Sequence, residues 1–132
     1  MIKVVITDDH PLLLEGLKNI LNNQEKIEVV ACFESATALQ KTLLSQTIDI
    51  LLLDINLADT NSVELINPLK KKYPDMQIIM LSVHNEFAVI NSCLAEGASG
   101  YIQKNASVDE IVTGIKTVHN GTVFLCSQTK NI

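Results

Sequence analysis

Four residues that could handle a phosphoryl group, Asp8, Asp9, Asp54 and Lys104, each follow a short apolar run in the sequence. Runs of this kind, rich in β-branched residues and leucine, predict buried strands. Because the carboxyl ends of parallel strands meet at one edge of a sheet, we expect the four side chains to converge. Three carboxylates at one point repel one another, and a divalent cation removes that penalty. Oxygen ligands favour Mg²⁺.

A site of this kind supports phosphoryl transfer to a carboxylate. One aspartate acts as the nucleophile towards phosphorus, while the cation and the lysine neutralise the phosphoryl oxygens. Ser82, at the end of a fourth predicted strand, can donate its hydroxyl to the same group. Each residue has an ordinary alternative role: the aspartates can cap helices or loops, and the lysine can be solvated. The joint occurrence at four strand ends favours the site.

The elements that must position these residues alternate regularly between strands and helices. Strands are predicted over residues 2–7, 27–33, 48–55, 77–81 and 100–103. Helices are predicted from Pro11 onward and over residues 35–44, 61–72, 86–96 and 107–121. This order predicts an α/β fold, (βα)₅, with a doubly wound parallel five-stranded sheet and helices on both faces.

Helix signals support these boundaries. Pro11 suits a first turn, Gly97 suits a C-terminal cap, and Ser107 with Glu110 forms a capping box. Pro68 falls inside the third helix and predicts a kink or a late helix start. The apolar stripes are expected to face the core. They are Leu12, Leu13, Leu17, Ile20 and Leu21 in the first helix, Ala36, Leu39, Leu43 and Leu44 in the second, and Ile111, Ile115 and Val118 in the last.

Composition narrows the class of protein. The 132 residues suit one domain, and 47% apolar residues predict a folded core. A net charge of −5 lacks the basic footprint of a nucleic-acid binder, so direct contact with DNA is not expected. No apolar run approaches the roughly 18–20 residues that span a bilayer. Neither the three cysteines, Cys32, Cys93 and Cys126, nor the scattered histidines have metal-site spacing. We expect reduced thiols in a cytoplasmic protein.

Four segments resemble the receiver domain of bacterial two-component response regulators, in particular the NarL/LuxR-type subgroup. They are TDDHPLLLEGL at 7–17, LLLDINLADTNSVEL at 51–65, MLSVHNE at 80–86 and GYIQKNASVDEIVTGIKTVHNG at 100–121. The resemblance implies a flavodoxin-like (CheY-like) sheet with strand order 2-1-3-4-5. It also implies a receiver domain over 1–121, with 122–132 as a tail or the start of a linker to a helix-turn-helix domain that is missing here.

The resemblance also implies roles at the site. Asp54 matches the phosphoacceptor. Asp9 matches a direct Mg²⁺ ligand, Asp8 matches the acid that helps to hold the ion, and Asn56 matches the position whose backbone carbonyl binds the metal. Lys104 matches the lysine that pairs with the phosphoryl group.

Further positions imply a switch. Ser82 matches the hydroxyl that turns to the phosphoryl group, and Tyr101 matches an aromatic residue that moves inward on activation. His84 lies where family members tune the lifetime of the aspartyl phosphate, and we hypothesise that it flanks the path of the hydrolytic water with Asn56. The implied partners are a sensor histidine kinase, the chain's own C-terminal DNA-binding domain and a second copy of the chain. The domain is expected to catalyse only its own phosphorylation and dephosphorylation.

The chain departs from the receiver pattern at three positions. Ala58 stands where the family often has proline and Ser62 where it often has glycine, so the loop after Asp54 is expected to differ in geometry or mobility. Val83 is bulkier than the small residue common beside Ser82 and is expected to narrow the path to Asp54.

Three other functions are alternatives. A phosphotransferase of the haloacid-dehalogenase type also uses a strand-end aspartate, but it has a second acid where this chain has Asn56. A flavodoxin-like cofactor carrier needs a phosphate loop after the first strand, where this chain has acids. A stand-alone receiver that signals to a protein target is the closest alternative.

Overall fold

A computed structural model describes residues 1–42, 47–57, 59–83 and 86–125. The main sheet has six strands. They are β1 (Ile2–Thr7), β2 (Ile27–Phe33), β3 (Ile50–Asp54), β6 (Gln77–Ser82), β7 (Gly100–Gln103) and β8 (Phe124–Leu125). Two short strands, β4 (Asn56–Leu57) and β5 (Thr60–Asn61), form an antiparallel hairpin just after β3.

Every neighbouring pair in the main sheet is parallel, and the strand order is β2-β1-β3-β6-β7-β8. The predicted order 2-1-3-4-5 is therefore confirmed for the first five strands. The sixth, β8, pairs Phe124 with Gly100 and Leu125 with Tyr101. It lies within residues 122–132, which the sequence had suggested for a tail, and it extends the sheet by one short strand.

The helices are α1 (Pro11–Asn22), α2 (Ala36–Thr42), α3 (Val63–Lys72), α4 (Phe87–Glu96) and α5 (Val108–His119). Both expected caps are present. Gly97 follows α4 with a φ of 118°, a left-handed conformation that favours glycine. At the start of α5, the Ser107 hydroxyl accepts a hydrogen bond from the Glu110 amide at 3.1 Å. Pro68 lies inside α3, which begins at Val63, so the helix does not start at the proline.

The apolar stripe of α1 was partly misassigned from the sequence. Leu12 is 91% exposed and Ile20 is 37% exposed, whereas Leu14, which the prediction omitted, is buried. Leu14 and the correctly predicted Leu17 and Leu21 are spaced three and four residues apart, so they share one face. Leu12 lies two residues before Leu14, about 200° around the helix.

Side chains alternate between two cores, one on each face of the sheet. One core lies beneath α1 and α5, and the other beneath α2, α3 and α4. In β3, Ile50 and Leu52 face the first core, while Leu51 and Leu53 face the second. All five residues of β3 are buried, which confirms the prediction of a strand covered on both faces. The strand that carries Asp54 is therefore held from both sides.

Several predicted features remain outside the described residues, namely Leu43 and Leu44 of the second helix, Ala58, His84 and Cys126. Cys32 and Cys93 are free thiols, with Cys93 buried and Cys32 half-buried. Among the described residues, no helix is long and apolar enough to cross a membrane.

Two helical glycines offer a test of the packing between α5 and the sheet edge. A Cβ on Gly114 would lie 2.9 Å from Ile102 Cδ1 and 2.9 Å from a ring carbon of Phe124, whereas nothing lies within 4 Å of one on Gly16. We expect Gly16→Ala to stabilise the fold by about 0.5–1 kcal/mol through helix propensity. Gly114→Ala should cost stability because α5 must move away from β7 and β8. Urea unfolding measures both, and an equal gain for both variants would contradict this packing.

Candidate phosphoacceptor site

Three strands of the sheet deliver the charged residues to one edge. β1 ends at Thr7, directly before Asp8 and Asp9, and β3 ends at Asp54. Lys104 follows β7, and its amide donates to the Ser82 carbonyl at 2.8 Å, which fixes it beside the end of β6. All of these ends are carboxyl ends, because the strands are parallel. The fold thus produces the convergence that the sequence predicted.

Lys104 joins two carboxylates from different strands. Its Nζ lies 3.0 Å from Asp8 Oδ2 and 3.0 Å from Asp54 Oδ2. The lysine side chain is only 9% exposed, and those of Asp8 and Asp54 are 0% and 3% exposed. Two buried carboxylates therefore share one nearly buried ammonium. This arrangement excludes a solvated surface role for Lys104.

Asp8 does not cap the following helix. Its Oδ1 accepts a hydrogen bond from the His10 amide at 2.8 Å, two residues on, in a local turn. The residue at the start of α1 is His10 itself, and its side chain makes no capping hydrogen bond. The buried position of Asp8 serves the charged cluster rather than the end of the helix.

His10 belongs to the cluster, although the sequence analysis gave it no role. Its Nδ1 lies 2.9 Å from Asp8 Oδ1, 3.2 Å from Asp9 Oδ1 and 3.8 Å from Asp54 Oδ2. The signal was its position directly after the two acids. The spacing of the three histidines, His10, His84 and His119, gives no sign of this contact.

The electrostatic environment of Asp54 is unfavourable for its charged form. Burial raises the pKa of the Asp54 carboxyl above its ordinary value of 3.8. A hydrogen bond from Lys104 and one from the Asn56 amide, 3.1 Å from Oδ1, oppose this rise in pKa, and the neighbouring Asp8 carboxylate adds to it. The site thus holds more negative charge than the lysine balances, a condition that a bound cation relieves.

The donor atoms fit a small divalent cation. Carboxylate oxygens of Asp8, Asp9 and Asp54 and a ring nitrogen of His10 all lie within 4.8 Å of one another. Asp9 is partly exposed, with a side chain 24% accessible, so the cluster opens to solvent on one side. Several carboxylates with access to water match the way in which proteins bind Mg²⁺.

The other predicted site residues are placed as follows. The Asn56 amide donates a hydrogen bond to Asp54 Oδ1 at 3.1 Å. Ser82 is buried at the end of β6, and its carbonyl binds the Lys104 amide. Tyr101 is completely buried in β7, within the core beneath α2, α3 and α4. His84 lies outside the described residues.

Two of the departures from the receiver pattern, Ser62 and Val83, lie within the described residues. Ser62 has a right-handed backbone, with φ −66° and ψ −22°, so the position does not require glycine. Its amide donates to the Ile55 carbonyl at 3.2 Å, but its buried hydroxyl has no hydrogen-bond partner among the described residues. Val83 is 66% exposed, and its effect on the path to Asp54 stays a prediction.

Asp59, in the same loop, caps a different helix, a contact that sequence reasoning did not find. Its carboxylate accepts hydrogen bonds from the amides of Ala36 and Thr37, each at 3.2 Å, and from the Thr37 hydroxyl at 3.1 Å. The Ala36 amide is the largest cause that lowers the pKa of Asp59 below its ordinary value. The loop beside the site is thereby tied to the start of α2. Since the two partners are more than twenty residues apart, local sequence patterns carry no signal of this contact.

A doubly wound parallel sheet with acids and a lysine gathered at its carboxyl edge is the arrangement expected of a receiver domain. Comparison with known families agrees: the response regulator receiver domain matches residues 4–116. This chain belongs to that family. Receiver domains are generally not classical enzymes, and they typically bind Mg²⁺ at an acidic pocket.

Curated relatives are response regulators and transcriptional regulators. The transcriptional regulatory protein LnrK of Bacillus subtilis (strain 168) is 36% identical over 132 residues, covering 95% of this chain and 57% of the relative. The transcriptional regulatory protein DegU of Brevibacillus brevis is 35% identical over 124 residues, covering 94% of this chain and 52% of the relative. The response regulator UvrY of Escherichia coli (strain K12) is 32% identical over 130 residues, with 96% and 58% covered. The chain spans little more than half the length of these relatives.

Solved structures share the fold. The isolated receiver domain of RcsB from Salmonella enterica serovar Typhimurium, with the phosphomimetic BeF₃⁻, superposes with a TM-score of 0.89 at 26% identity, covering 98% of this chain and 96% of that one. A LuxR-family response regulator from Aurantimonas sp. SI85-9A1 has a TM-score of 0.91 at 22% identity, with 98% and 92% covered. The latter likeness shows the fold alone.

The raised pKa of Asp54 predicts a pH-dependent stability difference. An acid whose pKa is raised by folding holds its proton more tightly when folded, so its charged form opposes folding above the folded pKa. This penalty disappears as the pH falls below the ordinary value of 3.8. We therefore expect Asp54→Asn to be more stable than wild type at pH 7 without divalent cations, with the difference shrinking at pH 3.

Urea unfolding in EDTA at both pH values checks this expectation. Asp75→Asn is the matched control, because Asp75 is exposed and the same substitution there should change little. A wild-type protein more stable than Asp54→Asn at pH 7 would show that the hydrogen bonds from Lys104 and Asn56 stabilise the Asp54 carboxylate more than burial destabilises it.

Proposed function

We propose that this chain is the phosphoacceptor switch of a two-component system, in which Asp54 receives a phosphoryl group from the phosphohistidine of a sensor histidine kinase. One observation carries the proposal: Lys104 lies 3.0 Å from Oδ2 of Asp54 at an edge where two further acids meet. A cluster of three acids and one lysine that opens to solvent at Asp9 suits transient binding of a phosphoryl group and a cation.

The transfer itself exchanges one bond to phosphorus for another. An oxygen of the Asp54 carboxylate attacks phosphorus, the bond from phosphorus to the kinase imidazole nitrogen breaks, and the imidazole leaves with the electron pair. The Lys104 ammonium, already beside Asp54 Oδ2, neutralises a phosphoryl oxygen. Asp8, Asp9, Asp54 and the Asn56 carbonyl are proposed to hold Mg²⁺, which supplies further positive charge to the phosphoryl oxygens when bound. The domain then catalyses only its own phosphorylation and dephosphorylation.

Phosphorylation is proposed to be transmitted through Ser82 and Tyr101. Ser82 turns its hydroxyl to the phosphoryl group, and Tyr101 occupies its inward position when the domain is active. The two residues lie on neighbouring strands, with Tyr101 paired to Met80 and Gln103 paired to Ser82. Changes at the site can therefore reach the surface of β7 and α5 through a short, rigid route.

The output is proposed to be control of transcription. Relatives named transcriptional regulatory proteins are nearly twice as long as the matched segment. We infer that the whole protein carries a C-terminal DNA-binding domain, and that phosphorylation controls it through dimerisation or release of an inhibited domain. We place this exchange in the cytoplasm, where Cys32 and Cys93 would stay reduced. A stand-alone receiver with a protein target is the alternative output.

Labelling by a small phosphodonor tests the acceptor directly. Incubation with acetyl phosphate and Mg²⁺ should add one acid-labile phosphoryl group to the chain, detectable by intact mass. Asp54→Asn should add none, and Lys104→Ala should be labelled far more slowly because its charge is missing from the cleft. Asp75→Asn, the exposed control, should match wild type. Label retained in Asp54→Asn would remove Asp54 from its proposed role.

Asn56 and His84 are proposed to flank the path of the water that hydrolyses the aspartyl phosphate. The proposal for His84 rests on its sequence position, two residues after Ser82. His84→Ala and Asn56→Ala should each lengthen the lifetime of the label severalfold, because the water is positioned less well. Decay followed by intact mass measures this, and a His84→Ala decay indistinguishable from wild type would argue against a role for His84.

A further inference from the structure

The loop beside Asp54 is tied at its tip to a helix that carries none of the proposed site residues. Asp59 lies between the paired strands β4 and β5, and its carboxylate accepts hydrogen bonds from the amides of Ala36 and Thr37, each at 3.2 Å. The Thr37 hydroxyl donates a third hydrogen bond at 3.1 Å. These three hydrogen bonds are called the Asp59 clasp below.

Helix α2 also has a cap of its own. The hydroxyl of Ser35, directly before the helix, accepts a hydrogen bond from the Ala38 amide at 3.1 Å. A cap of this kind comes from the preceding residue and needs no distant loop. The Asp59 clasp is therefore added to a helix end that is already capped, and its other consequence is to fix the loop.

The same loop reaches back to the phosphoacceptor through its backbone. Asn56 pairs with Asn61 and Leu57 pairs with Thr60, so the loop is a hairpin of two residue pairs. The Asn56 amide donates a hydrogen bond to Asp54 Oδ1 at 3.1 Å. Because so short a hairpin has little stability of its own, the position of this amide depends on the contacts that hold the hairpin.

The hairpin is held from two directions. Leu57 is buried in the core beneath α2, α3 and α4 and holds the hairpin from below. The Asn56 side chain is exposed, so it adds no buried contact that would fix the backbone at this point. Asp59 is exposed as well, and the clasp holds the tip of the hairpin on the solvent side.

We propose that Asp59 is a positioning residue for the reaction of Asp54, and that it acts by holding the hairpin whose Asn56 amide binds Asp54 Oδ1. The inference rests on the proposed function, because it concerns the same phosphoacceptor. With Oδ1 bound by the amide, Oδ2 is directed to Lys104 Nζ at 3.0 Å. A carboxylate held at both oxygens meets the phosphodonor in one orientation, which reduces the entropy lost in the transition state.

Labelling with acetyl phosphate and Mg²⁺ tests the proposal on Asp59→Ala, with Ser35→Ala as the matched control. Both changes remove a side chain that caps α2, but only Asp59 connects the helix to the loop. We expect Asp59→Ala to be labelled about three- to tenfold more slowly, at the lower end of what loss of an outer orienting group costs. Ser35→Ala should be labelled at the wild-type rate.

Thr37 gives a conservative pair of variants. Thr37→Val removes the hydroxyl donor at nearly the same size, whereas Thr37→Ser keeps it. Thr37→Val should slow labelling less than Asp59→Ala does, and Thr37→Ser should keep the wild-type rate. In a chain that already carries Asp59→Ala, Thr37→Val should add nothing, because the two changes remove the same contact.

Exchange of the Asn56 amide proton with water, followed by nuclear magnetic resonance in EDTA, measures the positioning without a phosphoryl group or a cation. Asp59→Ala should speed this exchange severalfold, because the hydrogen bond to Asp54 Oδ1 opens more often. Ser35→Ala should speed exchange of the Ala38 amide and leave that of Asn56 unchanged.

The possible outcomes separate this inference from the proposed function. Equal slowing of labelling in Asp59→Ala and Ser35→Ala, wild-type labelling of Asp59→Ala, or unchanged exchange of its Asn56 amide would overturn the positioning role and leave Asp54 as the phosphoacceptor. A wild-type chain that takes no label would overturn the proposed function, whereas faster Asn56 exchange in Asp59→Ala would still support the hold of the clasp on the hairpin.

Discussion

The shared ammonium of Lys104 is the constraint on which the site depends. Asp8 and Asp54 are 46 positions apart in the sequence, and each places a carboxylate oxygen 3.0 Å from the Lys104 Nζ. Both side chains are almost completely buried. Removing the ammonium would leave two buried carboxylates uncompensated, which is costly. The arrangement persists because both faces of the sheet hold the strands that end there. It leaves the third acid, Asp9, and the ring of His10 at the open side, where a donor and a cation can approach.

The charged residues and the loop beside them are held in different ways. β1, β3 and β7 are fixed by the two cores and by parallel pairing, so the acids and the lysine are set by the fold itself. The loop after Asp54 is held by polar contacts, the Asp59 cap on α2 and the Ser62 amide among them, and by Ile55 and Leu57, which are buried in the core beneath α2, α3 and α4. The fold therefore fixes the charged residues, and the loop adds polar contacts beside them. Loops positioned by a rigid scaffold commonly carry function for this reason.

Much of this could be predicted from the sequence because the signals were local or periodic. The apolar runs before Asp8, Asp54 and Lys104 predicted strands, and the alternation with helices predicted their parallel ends. Gly97 and Ser107 predicted caps that the structure contains. The order of the strands came from the family resemblance, since neither propensity nor spacing fixes which strands are neighbours.

The features that the sequence did not predict depend on partners that are distant in the sequence, or on small differences in where a residue lies around a helix axis. Asp59 reaches α2 across more than twenty residues, so no local pattern signals that contact. In α1 the consecutive leucines 12–14 made the phase of the stripe ambiguous, and packing selected Leu14 over Leu12. The role of His10 depends on which side chains surround its ring in the folded chain, and the sequence alone does not show this.

A double-mutant cycle on Lys104 and Asp54 tests the central claim most directly. The free energy of unfolding is measured for wild type, Lys104→Met, Asp54→Asn and the double variant, without divalent cations. Residues in direct contact should couple by about 0.5–3 kcal/mol, so the double variant should differ from the sum of the single changes by that amount. Additivity within about 0.3–0.5 kcal/mol, as found for groups that do not meet, would contradict the convergence of these side chains.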